Sequence, residues 1–90
     1  MVYTVMDHPW NKEHLDHLAS QEPLLERIAV DQEIMDGLPI VKGTRIPVYI
    51  ILELLEAGYS QSRILSEYPA LKEHDIKAVL RFASLVTSSL

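Results

Sequence analysis

The 90-residue chain contains no cysteine, only three glycines, and a single tryptophan and phenylalanine. Without cysteine it can form neither a disulfide framework nor a thiolate metal site, and a Cys/His catalytic pair is excluded. No apolar run approaches the roughly 20 residues that span a bilayer, and the opening Met-Val-Tyr-Thr-Val-Met lacks the basic start of a signal peptide. These absences predict a cytoplasmic protein with no membrane partner. A chain this short buries only about 60% of its extended surface on folding, so association into a homodimer is expected.

The formal net charge of −5 is unevenly spread. Residues 1–41 carry eight acids against Lys12 and Arg27, a balance of −6, whereas residues 42–90 carry five acids against Lys42, Arg45, Arg63, Lys72, Lys77 and Arg81, a balance of +1. Only the second part could face a phosphate backbone.

One stretch organises the rest: Gly37-Leu38-Pro39-Ile40-Val41-Lys42-Gly43-Thr44-Arg45-Ile46-Pro47-Val48. Gly37 and Gly43 permit positive φ, while Pro39 and Pro47 fix φ. The β-favouring pairs Ile40-Val41 and Arg45-Ile46 flank Lys42-Gly43-Thr44, which predicts a very short hairpin. Pro47 suits the first position of a helix. Thr44 can bond across the turn, and Arg45 can pair with a carboxylate such as Asp36. These six positions (Gly37, Pro39, Gly43, Thr44, Arg45, Pro47) are read as structural.

With Ile51-Leu52-Glu53-Leu54-Leu55-Glu56-Ala57-Gly58-Tyr59-Ser60 and Ile64-Leu65-Ser66-Glu67-Tyr68-Pro69, the stretch resembles the family catalogued as domain of unknown function 433, over roughly Ile28 to Ala83. The resemblance implies a homeodomain-like helix-turn-helix domain, some members of which look like antitoxins paired with a PIN-like ribonuclease toxin. The chain departs from the family pattern at Asp31-Gln32, where Asp-Pro is usual, at Asp36, where Gly or Asn is usual, and at Arg63 and Lys72, where Glu and a capping Thr are usual.

Taken in order, Met1–Met6 alternates weakly, which fits an edge strand or a loose terminus, and Asp7-His8-Pro9-Trp10-Asn11 reads as a turn with Trp10 as a packing anchor. Lys12 to Ser20 shows a weak helical stripe of Leu15, Leu18 and Ala19, and Pro23 stops any helix by Glu22. A strand is predicted at Arg27–Val30. Residues 1–90 are expected to form one domain: an arm and helix over 1–24, a short β element over 25–46 and a trihelical core over 47–90. The core helices are predicted at Pro47–Ala57, closed by Gly58; at Gln61 to about Tyr68, capped by Ser60; and at about Glu73–Thr87, burying Ile76, Val79, Leu80, Ala83 and Val86. The fold class is thus mainly α with a small N-terminal β hairpin, homodimeric through the β element and the first core helix.

His8, His14 and His17 fix no third metal ligand with neighbouring Glu13 and Asp16, so neither metal nor cofactor is expected. Lys42-Gly43-Thr44 lacks the upstream glycine spacing of a phosphate-binding loop, and no serine sits in a nucleophile-elbow setting, so no catalytic residues and no enzymatic activity are expected. DNA binding would use Lys77 and Arg81 on the last helix, with Arg63 and Lys72 on phosphates. The acids Glu73 and Asp75 in that helix's first turn and the five residues between the last two helices count against it. The alternative is a protein-interaction module whose acidic N-terminal half engages a basic partner such as a PIN-like ribonuclease toxin.

Overall fold

The structure, a computed structural model, describes residues 12–88, apart from the side chains of Lys12, His14 and Leu18. The features expected at Met1–Met6 and Asp7–Asn11, including His8 and Trp10, lie outside the described residues, as do the side chains of His14 and Leu18. The chain is mainly helical, with a small antiparallel sheet near its N-terminal side.

Helix α1 (Lys12–Gln21) buries Leu15 and ends before Glu22, whose extended backbone (φ −125°, ψ 96°) leads into Pro23. Where the sequence suggested a direct run into a strand, Pro23–Arg27 forms a 3-10 turn that inserts Leu25 fully into the core. Strand β1 (Ile28–Ala29) is shorter than predicted. It pairs antiparallel with β2 (Ile40–Val41), Ile28 opposite Val41 and Ala29 opposite Ile40.

The Gly37–Val48 stretch makes the corner that its residues imply. Met35, Asp36 and Gly37 all have positive φ (52°, 57° and 83°). A Cβ on Gly37 would lie 2.7 Å from Gln32 Nε2, whereas the space at Gly43 (φ 81°) is open. Thr44 closes the second turn by donating from Oγ1 to the Val41 carbonyl at 2.7 Å and accepting from the Ile46 N–H at 3.0 Å. The Val41 N–H donates to the Ile46 carbonyl at 3.0 Å, and Ile40 bridges Pro47. Arg45 is exposed, and the ion pair with Asp36 is not formed.

Pro47 precedes the next helix instead of opening it. Its extended backbone (φ −67°, ψ 145°) serves the bridge to Ile40, so α2 begins one residue later (Val48–Glu56). The Pro39 carbonyl accepts the Val48 N–H at 2.9 Å, fixing the angle between hairpin and helix. Helix α2 buries Val48 and Ile51 and closes in a Schellman motif, Gly58 N–H to Leu55 O and Tyr59 N–H to Leu54 O, both at 3.0 Å. The Ser60 hydroxyl then accepts the Arg63 N–H at 3.1 Å, capping α3 (Gln61–Glu67) around buried Ile64.

The last helix, α4 (Glu73–Ser88), packs against α2, α3 and, most extensively, the Pro23–Arg27 turn. That turn rotates the buried arc away from the periodicity-based expectation. Ile76 and Val79 are buried as predicted, but so are Asp75, Ala78 and Phe82, and Leu80 stands 43% exposed. Among the described residues an apolar cluster runs from Leu15 through Leu25, Val41 and Ile51 to Phe82.

Candidate nucleic-acid interface

Asp75 is the third residue of α4 and its side chain is fully buried. Its carboxylate takes two partners: Oδ2 accepts the backbone N–H of Lys72 at 2.9 Å, and Oδ1 accepts Arg27 Nε at 2.6 Å. His74 Nε2 lies 3.8 Å from Oδ1. The carbonyl of Arg27 accepts the Lys42 N–H at 2.7 Å. The side chains of Arg27 and His74 and the backbone of Lys72 thus meet at one carboxylate, and the Lys42 backbone lies beside Arg27.

Burial pushes the Asp75 carboxyl up, but the Arg27 hydrogen bond, the Lys72 N–H and the charges of Arg27 and His74 together hold it below the usual carboxylate value. Its charge is spent inward. Of the two acids expected on the DNA-facing first turn, Glu73 is exposed and Asp75 is buried. A carboxylate at the third helical position reaching back to the capping residue's N–H is half of a capping box, a signal legible in Lys72-Glu73-His74-Asp75. The Arg27 partner, 48 residues away, is not legible.

The four cations expected on DNA divide into two pairs. Lys72 and Lys77 are exposed and form no ion pair among the described residues. Arg63 lies over the Tyr59 ring, 3.8 Å from its centroid, and its Nε is 3.4 Å from Glu67 Oε2. Arg81 donates from Nη2 to Glu22 Oε1, which raises its already high pKa. Two ion pairs, Arg27–Asp75 and Glu22–Arg81, therefore fasten the Pro23–Arg27 turn to α4. Among the described residues no group of three or more His, Cys, Asp or Glu side chains is placed to hold a metal.

A different surface lies where the Leu38–Pro39 turn meets α2 and α4. A cleft of about 280 Å³ is lined there by Val48, Tyr49, Leu52, Phe82, Ala83 and Val86, among others. Leu38 and Tyr49 stand 41% and 45% exposed at its edge.

Comparison with known proteins places these features in a family. The family model described as a protein of unknown function, DUF433, matches residues 28–83. The uncharacterized protein y4eO of Sinorhizobium fredii (strain NBRC 101917 / NGR234) is 35% identical over 71 residues. That match covers 79% of this chain and 31% of y4eO. An uncharacterized protein of Archaeoglobus fulgidus is 58% identical over 24 residues, covering 27% of this chain and 67% of that protein. The crystal structure of a DUF433 member protein from Anabaena variabilis (ATCC 29413) matches with a TM-score of 0.65, covering 87% of this chain and 78% of that one, at 22% identity.

Proposed function

The chain belongs to the DUF433 family, whose description carries no activity, and from its own surface chemistry we propose that it is a small, dimeric, antitoxin-like regulator that binds operator DNA. In this reading α3 and α4 are the helix-turn-helix pair and the first turns of α4 approach the phosphate backbone. The role is binding, not catalysis, in the cytoplasm. The observation that supports it is that the Asp75 carboxylate is buried and paired with Arg27, so it adds no acid to the exposed face on which Lys72, His74 and Lys77 stand. Lys77, one helical turn beyond Glu73, adds a cation to the same end of the helix.

The test is titration of a labelled fragment of the gene's own promoter at several salt concentrations. Contacts by Lys42, Lys72 and Lys77, all exposed, to three phosphates give a slope of log K against log salt of about −2.7. The pair of substitutions Lys72→Glu and Lys77→Glu should weaken binding at least tenfold and flatten that slope. No binding at low salt would overturn the reading.

The alternative, a module whose acidic half engages a basic protein such as a PIN-like ribonuclease toxin, draws support from the exposure of Glu26, Asp31, Glu33 and Asp36. Tight binding to such a nuclease that is lost on reversing those four charges, with no DNA binding at low salt, would establish it instead.

A further inference from the structure

We propose that the cleft between the Leu38–Pro39 turn, α2 and α4 is the docking site for an amphipathic helix of another protein, one whose apolar stripe is flanked by lysine or arginine. The proposal is independent of the DNA reading, since none of Lys42, Lys72 and Lys77 lines the cleft.

The floor of the cleft selects apolar side chains. Phe82 and Val48 form its base, and Leu52, Ala83 and Val86 are half-buried along its walls. The polar group in the α4 wall is already satisfied, because Thr87 Oγ1 donates to the Ala83 and Ser84 carbonyls at 2.8 and 3.0 Å. A volume of about 280 Å³ holds two or three aliphatic side chains from one helix face, and not a whole helix.

The rim selects charge. On α2, Glu53 lies one helical turn beyond Tyr49 and Glu56 one turn beyond Leu52, both exposed. Asp36, exposed, stands two residues before Leu38. The facing stretch of α4 offers Leu80, Ser84 and Thr87; its Arg81 is outside the cleft lining and is paired with Glu22, and its Lys77 is six residues before Ala83, about 9 Å of helix rise. An apolar floor with an acidic wall and an uncharged wall complements a helix that is apolar in the middle and basic at one side. A second copy of this chain fits less well. A two-fold interface through α2 would face Glu53 and Glu56 with the same pair, four carboxylates without a cation from either α4 wall.

The experiment uses the full-length ¹⁵N-labelled chain and two synthetic 15-residue helical peptides that share a leucine stripe at three- and four-residue spacing. One carries lysine on the stripe's flanks and the other glutamate. The lysine peptide should shift the amide resonances of Tyr49, Leu52, Ala83 and Val86 and bind at least tenfold more tightly than the glutamate peptide. Glu53→Lys combined with Glu56→Lys, at exposed positions that leave the core intact, should abolish or reverse that preference. Equal affinity for both peptides, shifts centred on the acidic 26–36 segment, or no saturable shift by either would overturn the proposal. So would sedimentation showing that the chain dimerises through the cleft and excludes the lysine peptide.

Discussion

Arg27 and Asp75 join the Pro23–Arg27 turn to the start of α4 through a 2.6 Å hydrogen bond, and the same carboxylate caps the helix at the Lys72 N–H. One side chain thus fixes both the tertiary packing of α4 and its first turn. Asp75→Ala leaves the Lys72 N–H and a half-buried guanidinium without their acceptor. The cost should be about 2–3 kcal/mol in urea unfolding, toward the lower end because Arg27 is 34% exposed. Asp75→Asn, which can still accept one bond, should cost about half as much.

The same group sets an acid limit. Its folded pKa lies below the usual value, so the unfolded chain takes up the proton first as pH falls. The stabilisation is present above about pH 4, the unfolded value, and is lost as pH drops through the lower folded value. Thermal unfolding followed from pH 7 to pH 2 should show a smaller acid loss in Asp75→Asn than in the wild type.

The Glu22–Arg81 pair gives the last helix a second fastening to the N-terminal segment. Taken from the sequence alone, Arg81→Glu is expected to leave folding intact and to remove DNA binding. With Glu22 opposite, it sets two carboxylates against each other, so the melting temperature should fall. Glu22→Arg in the same chain should restore it, and failure of the double reversal would show the pair contributes nothing to stability. DNA binding by the refolded double variant then reports on Arg81 separately from the fold.

Gly37 and Gly43 share a left-handed backbone but differ in surroundings. Alanine at Gly43 meets open space and should cost only the conformational penalty, about 1–2 kcal/mol. Alanine at Gly37 carries the same penalty and must also displace the Gln32 side chain, 2.7 Å from the new Cβ. Chemical denaturation should rank Gly37→Ala below Gly43→Ala. Adding Gln32→Ala should bring the two close together.

Local chemistry made much of the fold legible: Pro23 ending α1, Thr44 closing the hairpin, Ser60 capping α3, and Ile76 and Val79 facing the core. Each depends on residues within about one turn. What was not legible depends on partners far along the chain. Asp75 and Arg81 read as an exposed acid and an exposed cation because Arg27 and Glu22 lie 48 and 59 residues away. Leu80 reads as core because it falls at helical spacing with Ile76 and Ala83, whereas packing of α4 on the Pro23–Arg27 turn goes with a buried arc that takes in Ala78 and Phe82. For the same reason the sequence does not show that the Lys42 backbone bonds Arg27, whose side chain holds Asp75.

Asp36 offers the clearest route to a more stable chain. It holds φ 57° and ψ 30° between Met35 and Gly37, which are also left-handed, and it is exposed. Its carboxylate forms no ion pair among the described residues, so little is lost by removing it. Glycine relieves the strain of a side chain in this region, which outweighs the added freedom of the unfolded chain, while asparagine tolerates it better than most residues. Asp36→Gly should therefore raise unfolding free energy by about 0.5–1 kcal/mol, and Asp36→Asn by less. The control is Asp31→Gly. There the carboxylate accepts the Glu33 N–H at 2.9 Å, and its loss should destabilise the same loop. If both glycine variants move stability in the same direction, strain at Asp36 is not what limits this turn.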